Sequence, residues 1–151
     1  MGIFDKIIEI GNKAQLVAGS SIANSPEKLG NKSLSQWECE WKYVGSLDGN
    51  FSDYSGYVGV YCAKLNGEIV YIGRATEWNN GGFRKRLSDY TRSSESARSH
   101  RSGQKMYEHK SKLQISIIIT GKDAEASNLA GRLELALIYK YKPEWNVQHS
   151  T

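Results

Sequence analysis

The chain has little of what would staple it, sink it in lipid or send it out of the cell. Its 151 residues include only two cysteines, Cys39 and Cys62. They have neither the density of a secreted disulfide scaffold nor metal-ligand spacing, so they read as two reduced thiols and point to a cytoplasmic home. No apolar run approaches the roughly 20 residues of a membrane span. The opening MGIFDKIIEIGNKAQLV has no basic leader and is broken by acids and lysines, so neither a targeting signal nor a membrane partner is expected. The three histidines, His100, His109 and His149, show no ligand spacing and read as solvated or phosphate-contacting. No internal repeat is visible. Overall charge is nearly balanced, 20 basic against 16 acidic residues.

What is present is enough for one core: 39% apolar residues with 11% aromatics. The expected organisation is an N-terminal extension over residues 1–50 and one folded domain over 51–151. Charge is unevenly placed. Residues 81–112 carry nine lysines and arginines against three acids, whereas residues 1–55 carry five lysines against seven acids. Such a belt fits either a polyanionic partner or a solvated helical face.

Period-3.6 patterning predicts an amphipathic helix over 3–18, with Ile3, Phe4, Ile7, Ile10, Ala14 and Val17 on one side, suited to docking on its own core or on another subunit. Residues 19–36 read as a Ser/Asn/Gly-rich linker. In WECEWKYV, residues 37–44, apolar and charged residues alternate as in a half-buried accessory edge strand. Residues 57–73 are two β-prone runs around Asn66-Gly67, a hairpin signal. A two-residue turn would send Tyr61 and Tyr71 to opposite faces. A three-residue loop pairs Lys64 with Glu68 and Tyr61 with Tyr71, and is preferred for its cross-strand charge pair. A short helix over 83–92 places Arg86 and Tyr90 on one face, and a second helix is expected within 93–112. LQISIIIT, residues 113–120, is a third core strand. Asp123 is an N-cap candidate for a long helix that Pro143 stops near Tyr141. The class is therefore α+β: a small antiparallel sheet of about three core strands flanked by helices.

On that long helix, Glu134 falls among Ala130, Leu137, Ile138 and Tyr141, while Arg132, Lys140 and Glu125 point the other way. An acid on an apolar face must take up a proton or find a cation.

The order Gly59-Val60-Tyr61, Tyr71-Ile72-Gly73, Arg86 and Tyr90 on a helix, Glu134 on a later helix and Asn146 after Pro143 resembles the GIY-YIG endonuclease superfamily over about residues 57–148. The ending PEWNVQH and the basic insertion are similar to the small stand-alone phage endonuclease II branch. The resemblance implies metal-dependent hydrolysis of DNA, double-stranded in the first instance. It assigns Glu134 to a single divalent ion, Mg2+ or Mn2+, a hard cation suited to one carboxylate plus waters. Arg86 is implied as a phosphate fork. Tyr61 is implied as general base or water-orienting group with Tyr71 and Tyr90 beside it, although a core role for Tyr71 stays open. A phenol of pKa about 10 would need a cation nearby to yield its proton at neutral pH, and Arg74, Arg86 or the ion could supply that field. Asn146 would orient the metal shell, brace the Glu134 helix or lock the C-terminus. Arg74 stands where the family often has lysine, which suits phosphate contact rather than proton transfer. Arg74, Arg84, Lys85, Arg92, Arg98, Arg101 and Lys105 are the candidate DNA contacts. Trp78 could wedge at DNA or anchor its loop. One site cuts one strand, so double-strand cleavage would call for a dimer or tetramer, or for two visits. The competing readings are a catalytically silent nucleic-acid-binding module and a protein-interaction domain.

Overall fold

The computed structural model describes residues 28–92 and 101–147. The helix expected over 3–18 lies outside the described residues, as does the first half of the expected linker. The chain divides into two compact units, residues 1–35 and 36–151. In the first, Lys28–Leu29 (β1) and Lys32–Ser33 (β2) pair antiparallel around Gly30, whose φ is 68°. Part of the composition read as linker thus forms a tight hairpin, because the turn residues favoured in linkers are also those that close hairpins. Helix α1, Leu34–Glu38, follows.

The second unit is built on a four-stranded antiparallel sheet in the order β3-β6-β4-β5, with β3 Lys42–Ser46, β4 Val58–Leu65, β5 Glu68–Ala75 and β6 Gln114–Gly121. The α+β class and the antiparallel core strands agree with the sequence reading. The edge strand does not lie where the alternation of residues 37–44 put it. Trp37 and Glu38 are helical, Cys39 and Tyr43 are exposed, and the strand begins only at Lys42. The helical turn buries Trp37 to 4% exposure and brings Glu38 to Lys140 Nζ at 2.6 Å and to the Tyr141 hydroxyl. An extended strand would forfeit both.

β4 is buried on both faces because helices cover both. On one face, Tyr61, Ala63, Ile115 and Ile117 pack against Phe83 and Leu87 of α2 (Gly82–Asp89), Met106 of α3 (Arg101–Glu108) and Trp145 of α5 (Glu144–Val147). Strand alternation turns Val60, Cys62, Ile72 and Ile118 to the other face, where α4 (Ala124–Tyr141) buries Ala126, Ala130, Leu133 and Leu137. Asp123 caps α4, its carboxylate accepting from Ala126 N–H at 2.9 Å. At the other end Lys142, at φ 45°, donates its N–H to Ile138 O at 2.7 Å just before Pro143. Among the described residues no helix is long and apolar enough to cross a membrane.

The β4–β5 hairpin corrects the register expected from sequence. Asn66 (φ 54°) and Gly67 (φ 85°) form a two-residue turn that sets Leu65 opposite Glu68, so there is no Lys64–Glu68 pair and Tyr61 does not face Tyr71. Both turn residues tolerate positive φ, and such a turn matches the strand twist, so turn chemistry outweighs one exposed charge pair. An unbroken ladder would then have separated the tyrosines. A bulge prevents it: Lys64 faces Ile69 but Ala63 faces Tyr71, leaving Val70 as the extra residue and setting Tyr61 opposite Gly73. Tyr61 and Tyr71 end as diagonal neighbours on one face.

Candidate functional site

The phenols gather where the sheet meets α2. Tyr61 lies with its ring 6.3 Å from that of Tyr71 and 6.2 Å from that of Tyr90, and the Tyr61 and Tyr90 hydroxyls are hydrogen-bonded at 2.6 Å. Gly73 makes this possible. A Cβ at that position would stand 2.5 Å from both Cζ and Oη of Tyr61, so only glycine lets the phenol cross β5 toward the sheet edge. The expected shift of Tyr61 toward phenolate is not what its surroundings produce. Burial, followed by the Tyr90 and Tyr71 hydroxyls, pushes its pKa well up, and Arg86 offsets only part of this. Burial and Tyr71 likewise push Tyr90 up.

Arg86, on α2, stands near all three phenols: desolvation works against its charge, but Tyr61, Tyr90, Tyr71 and Asp89 outweigh it and raise its pKa. Glu134 comes from the opposite helical layer. Its side chain is only 14% exposed, and Arg74 of β5 approaches it, Nη1 to Oε1 at 3.4 Å. Burial pushes the Glu134 carboxyl up, while Arg74 and then Arg86 pull it down. Arg86 thus couples electrostatically both to the three phenols and to the acid from the opposite layer.

The β5 edge is braced. Asn146 accepts from Ile72 N–H at 2.9 Å and donates to Ile72 O at 3.0 Å, so it acts as a one-residue substitute for the neighbour that edge strand β5 lacks there. The loop between β5 and α2, residues 76–81, is tied by Ser127 Oγ donating to Thr76 O at 2.6 Å and by a Lys85–Glu77 ion pair at 2.9 Å. Trp78 of that loop is 42% exposed, so it does not anchor the loop by burial.

The other basic candidates are less concentrated. Arg84 is exposed on α2, Lys85 is engaged by Glu77, and Arg92 pairs with Asp89. Lys105 lies over the Trp145 ring at 5.8 Å, and Arg101 is exposed at the start of α3. Arg98 falls outside the described residues. Sequence reasoning overlooked Gly131. A Cβ there would sit 3.2 Å from Arg74 Nη1, so this mid-helix glycine gives the guanidinium its seat beside α4. The available signal was an isolated glycine inside a long amphipathic helix.

The donor set can be tested against the implied metal. Among the described residues no three His, Cys, Asp or Glu side chains gather, which disfavours an all-protein cage. One largely desolvated, lightly paired carboxylate at the site is what Mg2+ needs when waters and a phosphate oxygen complete its shell. The residues fit.

Comparison with known proteins identifies the family. The family model of the UvrC-like GIY-YIG domain matches residues 57–147. No curated protein matches the sequence. Among solved structures, the GIY-YIG N-terminal endonuclease domain of UvrC from Thermotoga maritima, bound to its catalytic magnesium, is 26% identical over 61% of this chain and 85% of its own, with a TM-score of 0.44. An asparagine-to-alanine mutant of that domain gives 25%, 60%, 83% and 0.42, and a tyrosine-to-phenylalanine mutant 26%, 61%, 84% and 0.43. With the family match spanning more than half of the chain, from Tyr57 before the first tyrosine motif to Val147 beside Asn146, this protein belongs to the GIY-YIG nuclease family, as a UvrC-like domain.

Proposed function

We propose that the chain is a divalent-metal-dependent endodeoxyribonuclease that hydrolyses phosphodiester bonds of double-stranded DNA. The observation that carries this reading is the convergence of Glu134, Arg86 and the Tyr61–Tyr90 pair on one edge of the sheet from three separate elements. A hydrophobic helix face has no structural need for an acid there.

When bound, a Mg2+ or Mn2+ ion supplies Lewis acidity at a phosphate oxygen. Glu134 would hold it. Arg86 offers planar donors to the remaining phosphoryl oxygens and stays charged throughout. In the protein alone, burial and the neighbouring phenols oppose phenolate at Tyr61. Tyr61 therefore serves, with Tyr90 and Tyr71, to orient the attacking water by hydrogen bonding. Asn146 acts one step removed by fixing the strand that carries Tyr71 and Arg74. Exposed Arg84 and Arg101 suit contacts with the DNA backbone.

The test is supercoiled plasmid with Mg2+, run beside Glu134→Ala and EDTA controls. Nicking by the native chain alone supports the enzyme. Salt-sensitive binding without nicking in every arm would replace it with a silent binding module.

A further inference from the structure

Two features around Glu134 serve neither stability nor helix formation. The first is its contact with Arg74, long at 3.4 Å, with one partner 49% exposed. Such pairs contribute little to folding. The second is Gly131 at the centre of α4, a residue that weakens a helix interior relative to alanine. Gly131 lies one turn before Glu134, and its missing Cβ is the space beside which Arg74 Nη1 lies. Glycine and arginine together therefore seat a fixed positive charge at the carboxylate that the nuclease reading gives to a metal.

We propose that Arg74 is a competing cation for Glu134: it sets how tightly the divalent ion binds, and yields the carboxylate as it turns to a DNA phosphate. The inference rests on the nuclease reading and adds a regulator to it. Two cations cannot both occupy the near side of one carboxylate without repelling each other, and the arginine cannot relieve the conflict by losing its proton. A phosphate resolves it by giving the guanidinium a better, bidentate acceptor. Substrate and metal then favour one another, since each removes the obstacle to the other. Arginine also differs from lysine at this position: its planar fork is pre-organised beside Gly131, whereas an ammonium on a flexible stem would leave more readily.

The experiment is a titration of the full chain with Mn2+ alone, followed by calorimetry and by the loss of free-ion EPR signal, for the native protein, Arg74→Gln, Arg74→Lys, Gly131→Ala and Glu134→Gln. Arg74→Gln should bind Mn2+ about three- to tenfold more tightly than native, with Arg74→Lys between them and Gly131→Ala shifted the same way. In a second arm, a non-cleavable phosphorothioate duplex should tighten Mn2+ binding to the native chain but not to Arg74→Gln. Equal or weaker Mn2+ binding by Arg74→Gln, with native binding that Glu134→Gln abolishes, overturns the competition while leaving the nuclease reading intact. Absence of Glu134-dependent binding in native and Arg74→Gln alike overturns both. Arg74 is exposed enough that its variants should fold, and matching far-UV spectra would verify this.

Discussion

Replacing Asn146 by alanine should damage the fold before it damages the chemistry. The side chain makes two hydrogen bonds to one residue, at 2.9 Å from Ile72 N–H and 3.0 Å to Ile72 O, in a place where Ile72 is fully buried and Asn146 itself only 9% exposed. Each bond contributes about 1 kcal/mol net, and each buried main-chain group left unpaired costs about 1–3 kcal/mol, unless water enters. Partial rehydration at a strand edge brings the total to roughly 2–4 kcal/mol, a large share of the 5–15 kcal/mol typical of a domain. In equilibrium urea unfolding the midpoint should fall by roughly 1–3 M at unchanged slope. Asn146→Asp should be no better, since it retains an acceptor but turns a carboxylate oxygen toward the Ile72 carbonyl. Cleavage by Asn146→Ala, measured well below its melting temperature, should be reduced rather than abolished. A midpoint within about 0.3 M of native, coupled to a loss of Mn2+ binding, would refute the strand lock and assign Asn146 to the metal shell.

Gly73→Ala should cost about 1–3 kcal/mol of stability through overpacking, because its Cβ would collide with the Tyr61 phenol at 2.5 Å, and plasmid nicking should fall with it. Gly131→Ala should move stability the other way, by up to about 1 kcal/mol from helix propensity, readable as a higher melting temperature beside altered metal binding. Glu134→Gln should stabilise the protein at neutral pH. Burial raises the native carboxyl above its unfolded value of 4.5 despite Arg74 and Arg86, so the folded state holds that proton more tightly and native stability falls as pH rises through the interval above 4.5. The advantage of the glutamine variant, followed by urea unfolding, should vanish below that interval. Iodoacetamide at pH 8 should label exposed Cys39 and spare Cys62, whose thiol burial pushes up to about 11; both should react in denaturant.

The long helix and its acid could be read from the residues because an 18-residue element repeats its pattern often enough to fix a face, and Asp123 and Pro143 mark its ends. Glu134 lies on that helix, and Arg86 on the short helix α2, as the patterns predict. The WECEW stretch was misread since two turns of alternation over so few residues fit a strand as well as a helix that happens to bury one tryptophan. The hairpin differs from the sequence reading for another reason: nothing in LNGEIV signals that Val70 will bulge, because the bulge answers to the pairing of β5 with β4 and not to the turn residues. Gly131 was overlooked since a glycine's purpose depends on what faces it, here an arginine 57 positions earlier in the chain. Pairwise long-range fits of this kind leave no periodic trace.

The displaced residue at Val70 has a further consequence for how this scaffold tolerates length changes. Side-chain orientation along a ribbon depends on parity, so the kink acts as a phase corrector between the two aromatic motifs. Closing the kink at unchanged length would set Tyr71 opposite Cys62, invert the second motif and strand its phenol among the helix-facing aliphatics, whereas deleting the extra residue would keep Tyr71 opposite Ala63 in a regular ladder. Single-residue length changes between the motifs should therefore be tolerated where a kink or a turn residue is lost or gained with them.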